Sequence, residues 1–255
     1  MRGRRALIVA IAVAVAVVAG VGTVLYIHGG HGSVKSSGCR ALIAYALQIS
    51  YDYRPVIERI AEILRDHGCV VDIAIGRAVN LSLYAHLNRY SIAILFVHGG
   101  KAVFRVDDRV YRINGLFTGL PWSPRYEELK REWIATRAFP FNSTKAFLAV
   151  LPHFFDVYMK GRFPPNSVVV VAGCYALYTP YIAEALFRHG LRVFIGWPGA
   201  VTPHYLFNAT EKLVEYAVGE GLGWIKAVEK VNRVVGPDPV YHDHIVCLVN
   251  AQSRS

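Results

Sequence analysis

Two stretches of this chain are almost wholly apolar: Ser91–Val97 (SIAILFV) and Ser167–Ala172 (SVVVVA). A strand with one wet face alternates polar and apolar residues. A strand apolar at every position must be buried on both faces, which is the situation of a parallel strand in a sheet covered by helices. Three further short apolar runs follow the same pattern: Ala41–Leu47, Cys69–Ile75 and Leu191–Trp197. Between them lie amphipathic segments. Pro55 opens one with Val56, Ile57, Ile60, Ala61, Ile63 and Leu64 on a single face, and Gly68 closes it. Val79–Arg89 reads as a second helix, Thr179-Pro180 opens another that ends at Gly190, Thr202-Pro203 opens a fourth running to Val218, and Leu222–Val234 gives the last. This alternation predicts an α/β fold, a three-layer α/β/α sandwich around a mostly parallel central sheet. Residues 102–113 alternate and contain two Asp, the pattern of an exposed hairpin. The proline-rich stretch 114–165 is less regular, with helices expected near 125–137 and 144–160.

The N-terminus sets a second constraint. Arg2, Arg4 and Arg5 precede twenty-two uncharged residues, Ala6 to Ile27. At ~1.5 Å per residue such a run crosses a bilayer core of ~30 Å as one helix. The arginines hold residues 1–5 in the cytoplasm by the positive-inside rule, so the main domain is expected outside. A cleaved signal peptide is the competing reading, but the run exceeds the usual apolar region and shows no unique cleavage point. Residues 28–40 form a Gly- and Ser-rich tether, with His28 and His31 reading as linker rather than metal ligands, and 41–255 the α/β domain. The net charge of +10 falls to +7 without the three N-terminal arginines, twenty-five cations against eighteen anions. The remainder are scattered, which argues for a solvated basic surface and against a nucleic-acid partner.

Function in such sheets gathers where strands end at their carboxyl edge. The third apolar run exits into His98-Gly99-Gly100, and the fourth into Gly173-Cys174-Tyr175-Ala176. An imidazole and a thiol at one sheet edge meet across a cleft. A thiol attacks only as thiolate, and imidazole is the proton acceptor that makes one. Gly99 lets the backbone approach a substrate carbonyl, so that its N–H serves as an oxyanion donor.

ILFVHGG (94–100) and VVVVAGCYA (168–176) resemble the signature of the caspase-like cysteine peptidases, the group of caspases, gingipains, legumains, clostripains and CHAT domains. The helix and strand AEALFRHGLRVFIGW (183–197) and the segment GLGWIKAVEKVN (221–232) continue the likeness on the gingipain and CHAT side. The resemblance implies a caspase-hemoglobinase-like fold and a thiol protease acting on peptide or protein substrates through an acyl-enzyme, with no cofactor and no metal. It makes Cys174 the nucleophile and His98 the general acid and base, with the N–H groups of Gly99 and Cys174 as oxyanion hole. Trp197 would line the primary specificity pocket. Gly173 departs from the Ala or Ser common before the cysteine. In the usual strand order of this fold, Cys39 and Cys69 sit together at the amino-terminal sheet edge and can pair, with Cys39–Cys247 as the alternative.

Two other readings stay open. Residues 41–75 also resemble the opening of a flavodoxin-like domain, although the loop Gln48–Pro55 has no glycine and a carboxylate where a flavin phosphate would sit. The chain can also keep the caspase-like fold as a binding module without chemistry. His242, His244 and Cys247 mix metal-ligand types, but strand alternation sends Cys247 to the opposite face, so a surface tail strand is expected. Asn80, Asn142 and Asn208 head glycosylation sequons, which have meaning only in an exterior domain.

Overall fold

The computed structural model describes residues 38–47, 52–106 and 109–251, so the expected anchor 6–27 and most of the tether lie outside the described residues. Among the described residues no helix is long and apolar enough to cross a membrane. From Arg40 the chain alternates strand and helix: β1 (Arg40–Tyr45), α1 (Arg54–Asp66), β2 (Val70–Ile75), α2 (Leu81–Ala85) and β3 (Ile92–Phe96). A long excursion follows, β4 (Gly99–Val106), β5 (Arg109–Pro121), α3 (Glu127–Arg131), β6 (Ala135–Ala138), β7 (Phe147–Val150) and α4 (Pro152–Tyr158). The alternation then resumes with β8 (Val168–Ala172), α5 (Tyr181–Arg188), β9 (Val193–Gly196), α6 (Pro203–Val214), α7 (Trp224–Val234) and β10 (Val246–Val249).

The main sheet has the order β10-β9-β8-β3-β1-β2. Every neighbouring pair is parallel except β10, which runs antiparallel along β9. The two apolar runs that demanded burial on both faces, β3 and β8, lie side by side near its middle, and every residue of both is buried. Strand alternation divides their side chains between two cores. Ile94, Phe96, Val168 and Val170 point to the side covered by α1, α6 and α7, where they meet Ile60, Phe207 and Val231. Ala93, Leu95, Val169 and Val171 point to the side of α2, α4 and α5, against Tyr84, Phe155 and Leu186. The fold is thus α/β with a mostly parallel sheet, as the sequence predicts.

The middle of the chain corrects the expectation. Where a helix near 125–137 was expected, a 3-10 turn at Pro124–Tyr126 leads into the short α3, and β6 takes up Ala135–Ala138. The helix expected near 144–160 divides into β7 and the shorter α4, which starts at Pro152. The exposed hairpin exists, but β5 runs on past residue 113 and turns buried from Asn114 to Gly119. Together β4-β5-β7-β6 form a second, antiparallel sheet. Four-residue strands are too short to show a period of two, and their pairing to β5 is a tertiary fact.

Cys39 and Cys69 form a disulfide with Cα atoms 4.7 Å apart. The parallel pairing of β1 with β2 begins at Arg40 opposite Val70, and the Val70 N–H donates to the Cys39 carbonyl at 3.0 Å, which brings the two thiols to one place. The bond closes a sequence separation of 30 residues. Replacing both cysteines by Ala is expected to lower stability by about 3–4 kcal/mol, the entropy of such a loop. Denaturant titration checks the figure, and non-reducing peptide mapping should recover the pair linked.

Candidate active site

β3 and β8 run in register from Ile92 opposite Val168 to Phe96 opposite Ala172. The pairing ends there, and from the two adjacent strand ends the chain runs on into His98 and Cys174. Past the strands the backbones stay tightly apposed. A Cβ on Gly99 would lie 1.9 Å from the Cys174 carbonyl oxygen, and one on Gly173 would lie 2.1 Å from that of Val97. No side chain fits at either position, so the two glycines are what allow the exits to touch.

The imidazole of His98 meets the Phe117 ring edge-on, with centroids 5.6 Å apart, and the Phe117 N–H donates to the His98 carbonyl at 2.9 Å. Nε2 is buried without a hydrogen-bond partner. Burial holds the imidazole below its ordinary pKa, so the ring is neutral at pH 7. Cys174 is half-buried. The Val201 N–H donates to its Sγ at 3.4 Å, and the thiol donates to the Val201 carbonyl at 3.5 Å. Burial pushes the thiol pKa up, and the charges of Asp238 and Asp243 push the same way. The Val201 N–H and the cysteine's own N–H oppose them without reversing the outcome. The two resting groups are therefore a neutral thiol bonded to Val201 and a neutral imidazole whose Nε2 is buried without a partner.

The loop after the cysteine is pinned from three sides. Tyr175 takes a left-handed conformation, φ 56°, which is uncommon for a side chain of this size. Its N–H donates to the Gly199 carbonyl at 2.7 Å, and the Leu177 N–H to that of Trp197 at 3.0 Å, which ties the loop to the exit of β9. Asn114 of β5 is fully buried, and its Nδ2 donates to the Ala176 carbonyl at 2.7 Å while its Oδ1 accepts from Thr179 Oγ1 at 2.6 Å. On the far side Asp238, also fully buried, accepts from the Thr202 N–H and hydroxyl, both at 2.7 Å, and from the N–H groups of Val240 and Tyr241. Asp243 accepts from the Gly199 N–H at 2.5 Å. These two carboxylates hold the segment that carries Val201.

Asn114, Val201, Asp238 and Asp243 were not singled out in the sequence. Asn114 left one readable trace, an amide at the start of the buried half of β5, which also holds Thr118. Asp238 lies in Gly-Pro-Asp-Pro, which reads as an ordinary turn. Trp197 is fully buried in the core against Tyr205, so it presents no face to an open pocket, and the lining place suggested for it is closed in this structure. His242 and His244 precede β10 in a turn. Among the described residues no group of three or more His, Cys, Asp or Glu side chains is arranged to hold a metal. No protein-family model matches the chain, and no curated protein matches it.

Burial alone would raise the Asp238 carboxyl, but its four donors outweigh that and hold its pKa below the ordinary 3.8. Its contribution to stability is therefore present at neutral pH and is lost as the pH falls through that lowered value. Asp238→Asn turns an amide NH2 toward donors and is expected to cost about 3 kcal/mol at pH 7 by urea unfolding. The difference from wild type should shrink in strong acid.

Proposed function

We propose that this protein is a caspase-like cysteine endopeptidase with a caspase-hemoglobinase-like architecture, held at the outer face of a membrane by residues 6–27. The observation that carries the reading is the contact of the two strand exits, Gly99 against the Cys174 carbonyl, at the sheet edge where both His98 and Cys174 leave the sheet. The antiparallel excursion inserted between them, from β4 to α4, is where substrate-contacting loops belong.

In this mechanism the thiol swings from the Val201 carbonyl to His98 Nε2. The proton passes to the imidazole as the sulfur attacks the scissile carbonyl, so no thiolate exists in the resting enzyme. Negative charge on the tetrahedral oxygen falls to the N–H groups of Gly99 and Cys174. His98 then gives its proton to the departing amine, the C–N bond breaks, and a thioester remains. Water, deprotonated by His98, attacks the thioester, the C–S bond breaks to release the carboxylic acid product, and His98 returns its proton to the sulfur.

A second reading, a caspase-like binding module without chemistry, has one observation in its favour: the thiol is bonded to Val201 and not to His98. Hydrogen bonds of this type are often long before substrate arrives, so the geometry is compatible with either. The flavodoxin-like alternative gains nothing. Residues 48–51 of its cofactor loop lie outside the described residues, and Asp52, hydrogen-bonded to Arg54, has its pKa held down at about 2, an anion where phosphate would sit.

Cys174→Ala should abolish peptide hydrolysis and labelling by peptidyl electrophiles while the thermal midpoint stays close to wild type. His98→Ala should cut turnover by ~10²–10⁴-fold. Hydrolysis that survives Cys174→Ala overturns the mechanism. The neutral resting pair makes a separate forecast for pH. The rate of Cys174 alkylation by iodoacetamide should climb steadily above pH 7 without levelling near neutrality, because the thiol ionises above its ordinary 9.0. Peptidase activity should fall below pH 6.5 only as His98 takes up its proton. A labelling plateau at pH 5–6 would instead reveal a preformed thiolate–imidazolium pair.

A further inference from the structure

We propose that the open edge of β4 takes the substrate as an added strand, so that the protein acts on extended, unfolded polypeptide held by its main chain. The proposal rests on the peptidase reading for the direction of the peptide. β4 is an edge strand of the second sheet, paired with β5 alone among the described residues. The Phe117 N–H donates to the His98 carbonyl at 2.9 Å, which makes these two residues a hydrogen-bonded pair. The register runs on without a break, so Gly100 with Gly115 and Ala102 with Ile113 are bonded pairs too. The residues between them, Gly99, Lys101 and Val103, turn their N–H and C=O groups away from β5. Among the described residues no hydrogen bond reaches those groups. They repeat every ~6.8 Å, the two-residue repeat of an extended peptide.

The edge opens toward the candidate nucleophile. On the β5 side the second sheet continues to the segment after β2, where the Gly119 N–H donates to the Val79 carbonyl at 2.7 Å. On the other side Gly99 lies against the Cys174 carbonyl. A lysine standing along an edge strand guards it against pairing. Lys101 is instead held on the loop after the cysteine, its Nζ 4.6 Å from the Tyr175 centroid and 5.8 Å from that of Tyr178. The exit of β9 offers no comparable ladder, because the N–H and carbonyl groups of Gly199 and Val201 are already bonded to Asp243, Tyr175 and Cys174. The Gly99 N–H is at once the first donor of the β4 edge and an oxyanion donor of the mechanism, so pairing there delivers a carbonyl to the reacting position. His98 protonates the leaving nitrogen and precedes Gly99, so the peptide after the scissile bond leaves past His98. The peptide before that bond runs back along β4, antiparallel to it. The residue that supplies the scissile carbonyl then pairs with Gly99, the one two places before it with Lys101, and the one four places before it with Val103. Such a site takes a chain that can straighten and refuses a helix.

The test uses a fluorescein-labelled decapeptide of Ala, Ser, Thr and Val in mixed order, uncharged so that the basic surface does not attract it. Binding to the full-length Cys174→Ala protein is read by anisotropy, so that no turnover is needed. Proline is tolerated on an edge strand where its nitrogen faces solvent, so Val103→Pro removes one outward donor and no bond to β5. It should weaken binding by about tenfold, and Val103→Ala by less than about twofold. The same peptide N-methylated at every residue should not bind, an arm that depends on no edge variant folding. Equal binding of the N-methylated peptide, no binding of the parent, or equal effects of Val103→Pro and Val103→Ala overturn the edge site. A dimer that Val103→Pro dissociates, with the peptide unbound, gives the edge to a second copy and also overturns it. Digestion of β-casein, an unfolded protein, with Cys174 in place separates the two readings. No cleavage, with proline-sensitive peptide binding intact, removes the peptidase reading and leaves a site for extended peptides. Cleavage with a KM that Val103→Pro leaves unchanged keeps the peptidase and removes the edge site.

Discussion

Two parallel strands leave a sheet about 4.8 Å apart and ordinarily diverge at once, because side chains on the following residues push the backbones away from each other. Here they do not diverge. Gly99 lies against the carbonyl of Cys174 and Gly173 against the carbonyl of Val97, at separations no Cβ tolerates. The contact is possible because β3 and β8 are neighbours in register, and they are neighbours because each is apolar at every position and so needs burial on both faces. The chain of causes runs from side-chain composition, through sheet position, to the exit of His98 and Cys174 from adjacent strands at one sheet edge. Hydrophobic burial, summed over the two cores, holds the exits together, and the glycines let them close.

The electrostatics of the site follow from the same burial. Removing water raises the pKa of the thiol and lowers that of the imidazole, so both groups are uncharged at neutral pH. An ion pair would require a compensating field, and the nearest carboxylates, Asp238 and Asp243, work against a thiolate. Their structural task explains their presence: they fix the segment carrying Val201 and Gly199 to the loop after the cysteine. Such a resting site is slow to alkylate and slow to oxidise, since both reactions use the thiolate.

The parts of this arrangement legible in the sequence are those set by local pattern. Five strands of the main sheet, Pro55 and Pro203 at helix starts, and the His98 and Cys174 exits could all be read from apolar runs and their punctuation, although the edge strand β2 is largely exposed. What escaped was set by contacts distant in sequence. β6 and β7 have four residues each and become strands by pairing with each other and with β5. Asn114 reaches across to residues more than sixty positions away, and Asp238 to Thr202. A one-dimensional pattern carries no record of such partners. The packing of Trp197 was not legible for a related reason. Its position at the end of β9 was legible, but the side of the strand exit on which the indole packs depends on Tyr205 and the helix behind it.

The sheet also separates the cysteines by chemistry. Cys39 and Cys69 lie at the amino-terminal edge, where β1 and β2 begin, while Cys174 follows the carboxyl end of β8. Five or six residues of strand at ~3.3 Å each put roughly 15–20 Å between the disulfide and the candidate nucleophile. Exchange needs direct attack of a thiolate on a bridged sulfur, so a rigid sheet of that length keeps the two apart. Cys247 is the remaining thiol, on the antiparallel edge strand, and burial pushes its pKa up to about 11, which leaves it almost wholly protonated at neutral pH. One cysteine pair thus ties the closed end of the sheet and one cysteine is free at the open end. The fourth is too weak an acid to exchange readily with the first pair.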